Sequence, residues 1–102
     1  MTVGNGRPLR FRVELLQQAR QVVEALGRRA KEAGTFEKFA AAMEFIAWRL
    51  ETNPLGFGEP THHLWHLGMV VHVGASKPVI VHFGIHPEKR FVVVQSVAML
   101  PG

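Results

Sequence analysis

From Trp65 to Met99 the apolar side chains fall on alternate residues, a two-residue period that restricts this stretch to β-structure with one buried face. Trp65, Leu67, Met69, Val71 and Val73 occupy odd positions, followed by Val79, Val81, Phe83 and Ile85, then Phe91, Val93, Val97 and Met99. The pattern predicts three long strands, 65–73, 79–85 and 91–99. Gly74-Ala75-Ser76-Lys77-Pro78 and His86-Pro87-Glu88-Lys89-Arg90 read as their hairpin turns, and Gln95 is the polar exception on the apolar side. The even positions of the first two strands, with the turn that follows, carry His66, His72, His82 and His86. One face of the expected sheet is therefore greasy and the other is lined with imidazoles.

The greasy face needs a cover, and the sequence before residue 54 supplies one. Leu15, Leu16, Ala19, Val22, Val23, Leu26, Ala30 and Ala33 recur at helical spacing and stop at Gly34. Gly27 interrupts that helix and marks a close approach or a kink. Thr35 is placed to cap a second helix with the stripe Phe36, Phe39, Ala40, Met43, Ile46, Ala47 and Leu50, ended by Pro54. Almost nothing joins the two, so they form an antiparallel hairpin. Ahead of them Leu9, Phe11 and Val13 alternate with Arg10 and Arg12, as in a short strand with a basic face or, equally, a lead-in to the helix. The expected fold is α+β in the order β-α-α-β-β-β: a short N-terminal strand and a helical hairpin packed on one face of an antiparallel sheet.

At 102 residues the chain reads as a single domain over 1–102, with residues 1–8 as a flexible arm. No cysteine is present, which removes thiol catalysis, Cys-type zinc sites and disulfides. The start of the chain lacks a signal-peptide apolar region, and no run approaches the roughly 18 apolar residues of a membrane span. A cytoplasmic protein without membrane contact is expected. Twelve Lys and Arg against eight Asp and Glu leave a net charge of +4, which favours a polyanion or an acidic partner.

Turn lengths give a trial register. If Val73 pairs with Val79, then His66 lies opposite His86, Gly68 opposite Gly84 and Val70 opposite His82. If Ile85 pairs with Phe91, His86 faces Arg90. The outcome is a row, His66, His86 and Arg90, beside a two-glycine floor with His82 near it. A slip of one residue would dissolve that row, because it moves every side chain to the other face. Imidazoles titrate near neutral pH and serve as acid or base, while arginine matches phosphate oxygens. His66, His82, His86 and Arg90 are thus candidates for catalysing RNA transesterification. The same histidines also fit a role as amphipathic residues on a half-exposed sheet. A metal held by His62, His63, His66 and His86 is a third option, although Glu59 and Glu88 are the only carboxylates near in sequence; no metal or cofactor is expected. Arg28, Arg29, Lys77 and Lys89 are candidate contacts to a nucleic-acid backbone, with Arg28 and Arg29 equally suited to a helix C-terminus.

The order of elements, the helical hairpin ending at Asn53-Pro54, the Gly58-Glu59-Pro60 turn and the three-stranded meander resemble the RelE/ParE superfamily of small bacterial toxins over residues 9–99. The resemblance implies a basic sheet face opposite the helices and a cognate antitoxin that silences the protein. RelE-like members cut mRNA in the ribosome, and ParE-like members inhibit DNA gyrase. The nuclease members carry an Arg three residues before a Tyr in the middle strand; here Phe83 stands at the Tyr and Ile80 at the Arg. The C-terminal strand end, Val97 to Gly102, is without ionisable side chains, and the chain has no Tyr. What the resemblance implies is therefore a toxin, either an endoribonuclease using the histidine face or a non-catalytic protein acting on gyrase or another partner. Either a monomer or a homodimer paired through strand 91–99 is compatible with this reading.

Overall fold

The computed structural model describes residues 10–101; the N-terminal arm expected over 1–8, with Arg7, and Leu9 lie outside the described residues. The fold is α+β, two helices packed on one face of a five-stranded mixed sheet. Its elements are β1 (Arg12–Leu15), α1 (Gln17–Ala33), α2 (Phe36–Thr52), β2 (Glu59–Leu64), β3 (Met69–Ser76), β4 (Val79–His86) and β5 (Phe91–Met99). Across the sheet the order is β1-β5-β4-β3-β2. β1 runs parallel to β5 and all other pairs are antiparallel. No helix among the described residues is long and apolar enough to cross a membrane.

The helical hairpin forms where the apolar period predicts it, except that α1 begins at Gln17: Leu15, expected on the helical stripe, is the last residue of β1, and Leu16 precedes the helix. Gly34 takes the left-handed conformation (φ 75°), and its N–H reaches back to the α1 carbonyls, which ends the helix in one residue. Thr35 stands at the start of α2 without capping it, since its hydroxyl turns back to the Ala30 carbonyl. Phe39, Ala42, Ile46 and Leu50 bury the inner stripe of α2 against Val79, Val81, Phe83 and Ile85 of β4 and Val92, Val94 and Val97 of β5. Each large aliphatic or aromatic side chain so buried is worth roughly 1.5–3 kcal/mol. α1 runs through Gly27 unbroken, with the rings of Phe36 and Phe39 alongside it.

The sheet departs from the expected register at both hairpins. Only Lys77 and Pro78 separate β3 from β4, so Ser76 pairs with Val79, and Gly74 and Ala75 stay in the ladder. His72 then pairs with Phe83 and Val70 with Ile85, an odd slip from the trial register that turns β3 over. Val70, His72 and Gly74 face the helices, and Met69, Val71 and Val73 face away. The cause is Phe57. Its ring stacks on Phe83 and lies where a side chain on residue 74 would be, only 2.6 Å from the ideal Cβ position at Gly74. Its carbonyl accepts a 2.9 Å hydrogen bond from Nδ1–H of His72, which is 4% exposed.

The expected strand 65–73 is strand only from Met69 onward, and an additional strand, β2, precedes it over Glu59–Leu64. β2 pairs with β3 through a short 3-10 turn, Trp65–Leu67, closed by Gly68 in the left-handed conformation (φ 67°). In β5, Val92 and Val94 face the core in place of Phe91 and Val93. A bulge at Gln95 then restores the phase, so that Val97 is buried as expected. β1 covers the outer side of the first half of β5, Phe91–Val94, and residues 95–99 have no strand paired on that side among the described residues.

Two glycines give opposite expectations in urea unfolding. Gly27→Ala places a methyl at ordinary contact distance, 3.6 Å from Phe39, and improves helix propensity, so stability rises by up to about 1 kcal/mol. Gly74→Ala forces Phe57 off Phe83 and lowers stability by about 1–3 kcal/mol.

Candidate functional site

The helices cover one side of the sheet and leave the other open, so the open face is built by residues that alternate with the core. One row across it runs Arg12, Phe91, His86, in adjacent register positions on β1, β5 and β4. The next runs Glu14, Val93, Gly84, Val71, His62, from one edge of the sheet to the other. Phe91 thus takes the position beside His86 that the trial register assigned to Arg90.

Phe91 organises the first row. The His86 ring stacks on it at 5.1 Å between centroids and 23° between planes, and the Arg12 guanidinium lies 5.9 Å from its centroid. Arg12 also pairs with Glu14 at 3.1 Å, an exposed ion pair that solvent and salt leave weak. Nδ1 of His86 accepts a hydrogen bond from the Lys89 backbone N–H (3.1 Å), so the neutral ring carries its proton on Nε2. That Nε2 atom lies 3.1 Å from the point a Cβ on Gly68 would occupy, close over the bare turn. Gly84 forms no second floor glycine beside it, because it pairs with Val71 and lies under the methyl of Met69.

The sequence-derived candidates do not converge. His82 lies on the open face with His86, but four residues along the same strand, about 13 Å at ~3.3 Å per residue. It is held by Ser96, Oγ to Nδ1 at 3.2 Å. His66 is in the exposed 3-10 turn and pairs with no strand residue. Arg90, at φ 57°, places its guanidinium over Phe11 at 4.6 Å. The row His66, His86, Arg90 is therefore replaced by Arg12, Phe91, His86. His72, expected among the outward imidazoles, is a core residue.

The remaining polar candidates are spread over the molecule. Arg28 and Arg29 are exposed on α1, on the helical side of the sheet. Lys77 and Lys89 occupy the turns at opposite ends of β4, and only Lys89 is beside His86. The Thr61 hydroxyl donates to the Val71 carbonyl and so accepts from Nδ1–H of His62. His63 stacks flat on Trp65. Among the described residues no group of three His, Asp or Glu side chains is placed to hold a metal ion.

Sequence reasoning missed Phe91 and Arg12 as a pair. The signal present was the alternation of Arg10 and Arg12 with apolar residues, which put a basic side chain on one face of β1. The parallel pairing that sets it beside Phe91 has no sequence mark. No family model, curated protein or solved structure matches this chain.

Gly68→Ala tests the geometry of the row. A methyl at a left-handed position and 3.1 Å from Nε2 displaces the His86 ring. The expected readout is a change in the His86 ring and Phe91 aromatic NMR shifts, with those of the core residue Phe83 unchanged.

Proposed function

We propose that this protein is a RelE/ParE-like toxin that recognises single-stranded RNA through its open sheet face and acts by occupying it. The observation that carries this reading is the Arg12–Phe91–His86 row: a cation and an imidazole on one aromatic ring, on the face the helices leave uncovered. Single-stranded RNA is bound by such combinations, in which bases stack on flat rings and cations meet phosphates. The net charge of +4 favours the same partner. Binding is favoured over cutting because transesterification needs a base and an acid at one phosphate, and the contacts of the His86 ring are with Phe91 and the Lys89 backbone rather than with a second imidazole. The resemblance carries with it a cognate antitoxin, encoded beside the gene.

A second reading, a non-catalytic ParE-like protein directed at gyrase or another protein, is favoured by Phe45 and Trp48. These rings are 41% and 55% exposed on the outer side of α2. Growth arrest that survives loss of the RNA row and disappears in Trp48→Ala would select it.

The test of the first reading is fluorescence anisotropy with a labelled 12-nucleotide RNA, followed by a denaturing gel. Phe91→Ala weakens binding about 5- to 150-fold, the range for losing one stacked contact. Arg12→Gln weakens it and lowers the salt dependence by about 0.7 in log–log slope, one phosphate contact. The RNA emerges intact. Equal affinity of both variants and the parent overturns the assigned face; cleavage that His86→Ala abolishes overturns action by occupancy.

A further inference from the structure

We infer that the cleft beside Trp65 takes one unpaired nucleobase of the bound RNA, an inference that rests on the RNA reading above. The turn between β2 and β3 creates the site. Gly68 closes that turn with its N–H on the Trp65 carbonyl (3.1 Å), and Trp65 is turned out to 80% exposure. An indole so exposed is normally free to rotate. This one is held by His63, whose ring lies 4.3 Å from it at an interplanar angle of only 4°. One face of the indole is therefore occupied and its plane is set, while the other face is open to a flat ligand.

The space next to it has the size for one ring system. The cleft measures about 320 Å³ and is lined by Trp65, Leu55, Pro87, Gly68, Met69 and Val70. That volume is at the small end of ligand clefts, roughly 300–1,000 Å³. Its lining is apolar apart from His63. Stacking on tryptophan tolerates any base, because every base has a π-face.

Continuity and charge identify the occupant. Gly68 is shared: it lines the cleft, and the Nε2 atom of His86 lies directly over its missing side chain. A strand following Arg12, Phe91 and His86 thus reaches Trp65 across a single glycine. Lys89 sits in the same turn as Pro87, next to this path, and supplies a cation for a phosphate; Glu88 in that turn is the one carboxylate there. An aliphatic side chain of a second copy would find the same apolar lining, but it would gain nothing from a prestacked indole or from Lys89.

The experiment uses the full chain carrying Trp48→Phe, so that Trp65 is the only indole, and a 12-nucleotide oligouridylate. Binding quenches Trp65 fluorescence with the midpoint found by anisotropy. Trp65→Ala in the same background weakens binding about 5- to 150-fold, and Trp65→Phe retains it to within about threefold. An abasic strand of the same length binds the Trp65→Ala variant and its parent alike. Oligouridylate affinity equal within twofold for Trp65→Ala and its parent overturns the subsite while leaving the RNA reading in place. No binding of RNA by the parent overturns the RNA reading itself. A parent dimer that sedimentation shows to be lost in Trp65→Ala also overturns the subsite, assigning the ring to self-association.

Discussion

The contact of Phe57 with the bare backbone at Gly74 sets the phase of the whole sheet. Its ring fills the space over residue 74 and stacks on Phe83, and its carbonyl takes the Nδ1 proton of His72. A buried carbonyl or imidazole without a partner costs about 1–3 kcal/mol, so turning β3 over would orphan two polar groups and expel a ring. The face choice of β3 follows. Met69, Val71 and Val73 are then committed to the open side, where Met69 closes over Gly84 and Val71 is almost fully buried beside His62.

Local chemistry explains what was legible before the fold was known. The helical hairpin depends on spacing and on Gly34 and Pro54, which act within a few residues, and both helices lie where the pattern puts them apart from the start of α1, where β1 takes Leu15. β4 was equally readable, since Val79, Val81, Phe83 and Ile85 are all buried on one face. β3 was not. Its odd positions are the more hydrophobic, yet the core takes Val70, His72 and Gly74, because a residue far upstream supplies the rest of the packing. Alternation identifies a strand; it does not say which face is buried when both carry valine.

The site shows the same division. His82 and His86 share a face, as a period of two requires, while the cross-strand row depended on two turn lengths. A two-residue turn in place of five, and a pair His86–Phe91 in place of Ile85–Phe91, exchanged one set of neighbours for another. Gln95 was visible as an anomaly and is the bulge that lets Val94 and Val97 both face inward. Arg12 entered the row through the parallel pairing of β1 with β5, a long-range event that residues 12–15 do not announce.

We propose the uncovered sheet face as the working surface, with Arg12, Phe91 and His86 at its centre and the helical face as structural cover. The most direct measurement is a titration of isotope-labelled protein with a short single-stranded RNA, followed by backbone and aromatic NMR shifts. RNA bound on this face gives saturable changes at Arg12, Phe91, His86 and the 65–68 turn, with α1 unchanged. Changes centred on Arg28 and Arg29, or none at saturating RNA, would contradict that proposal.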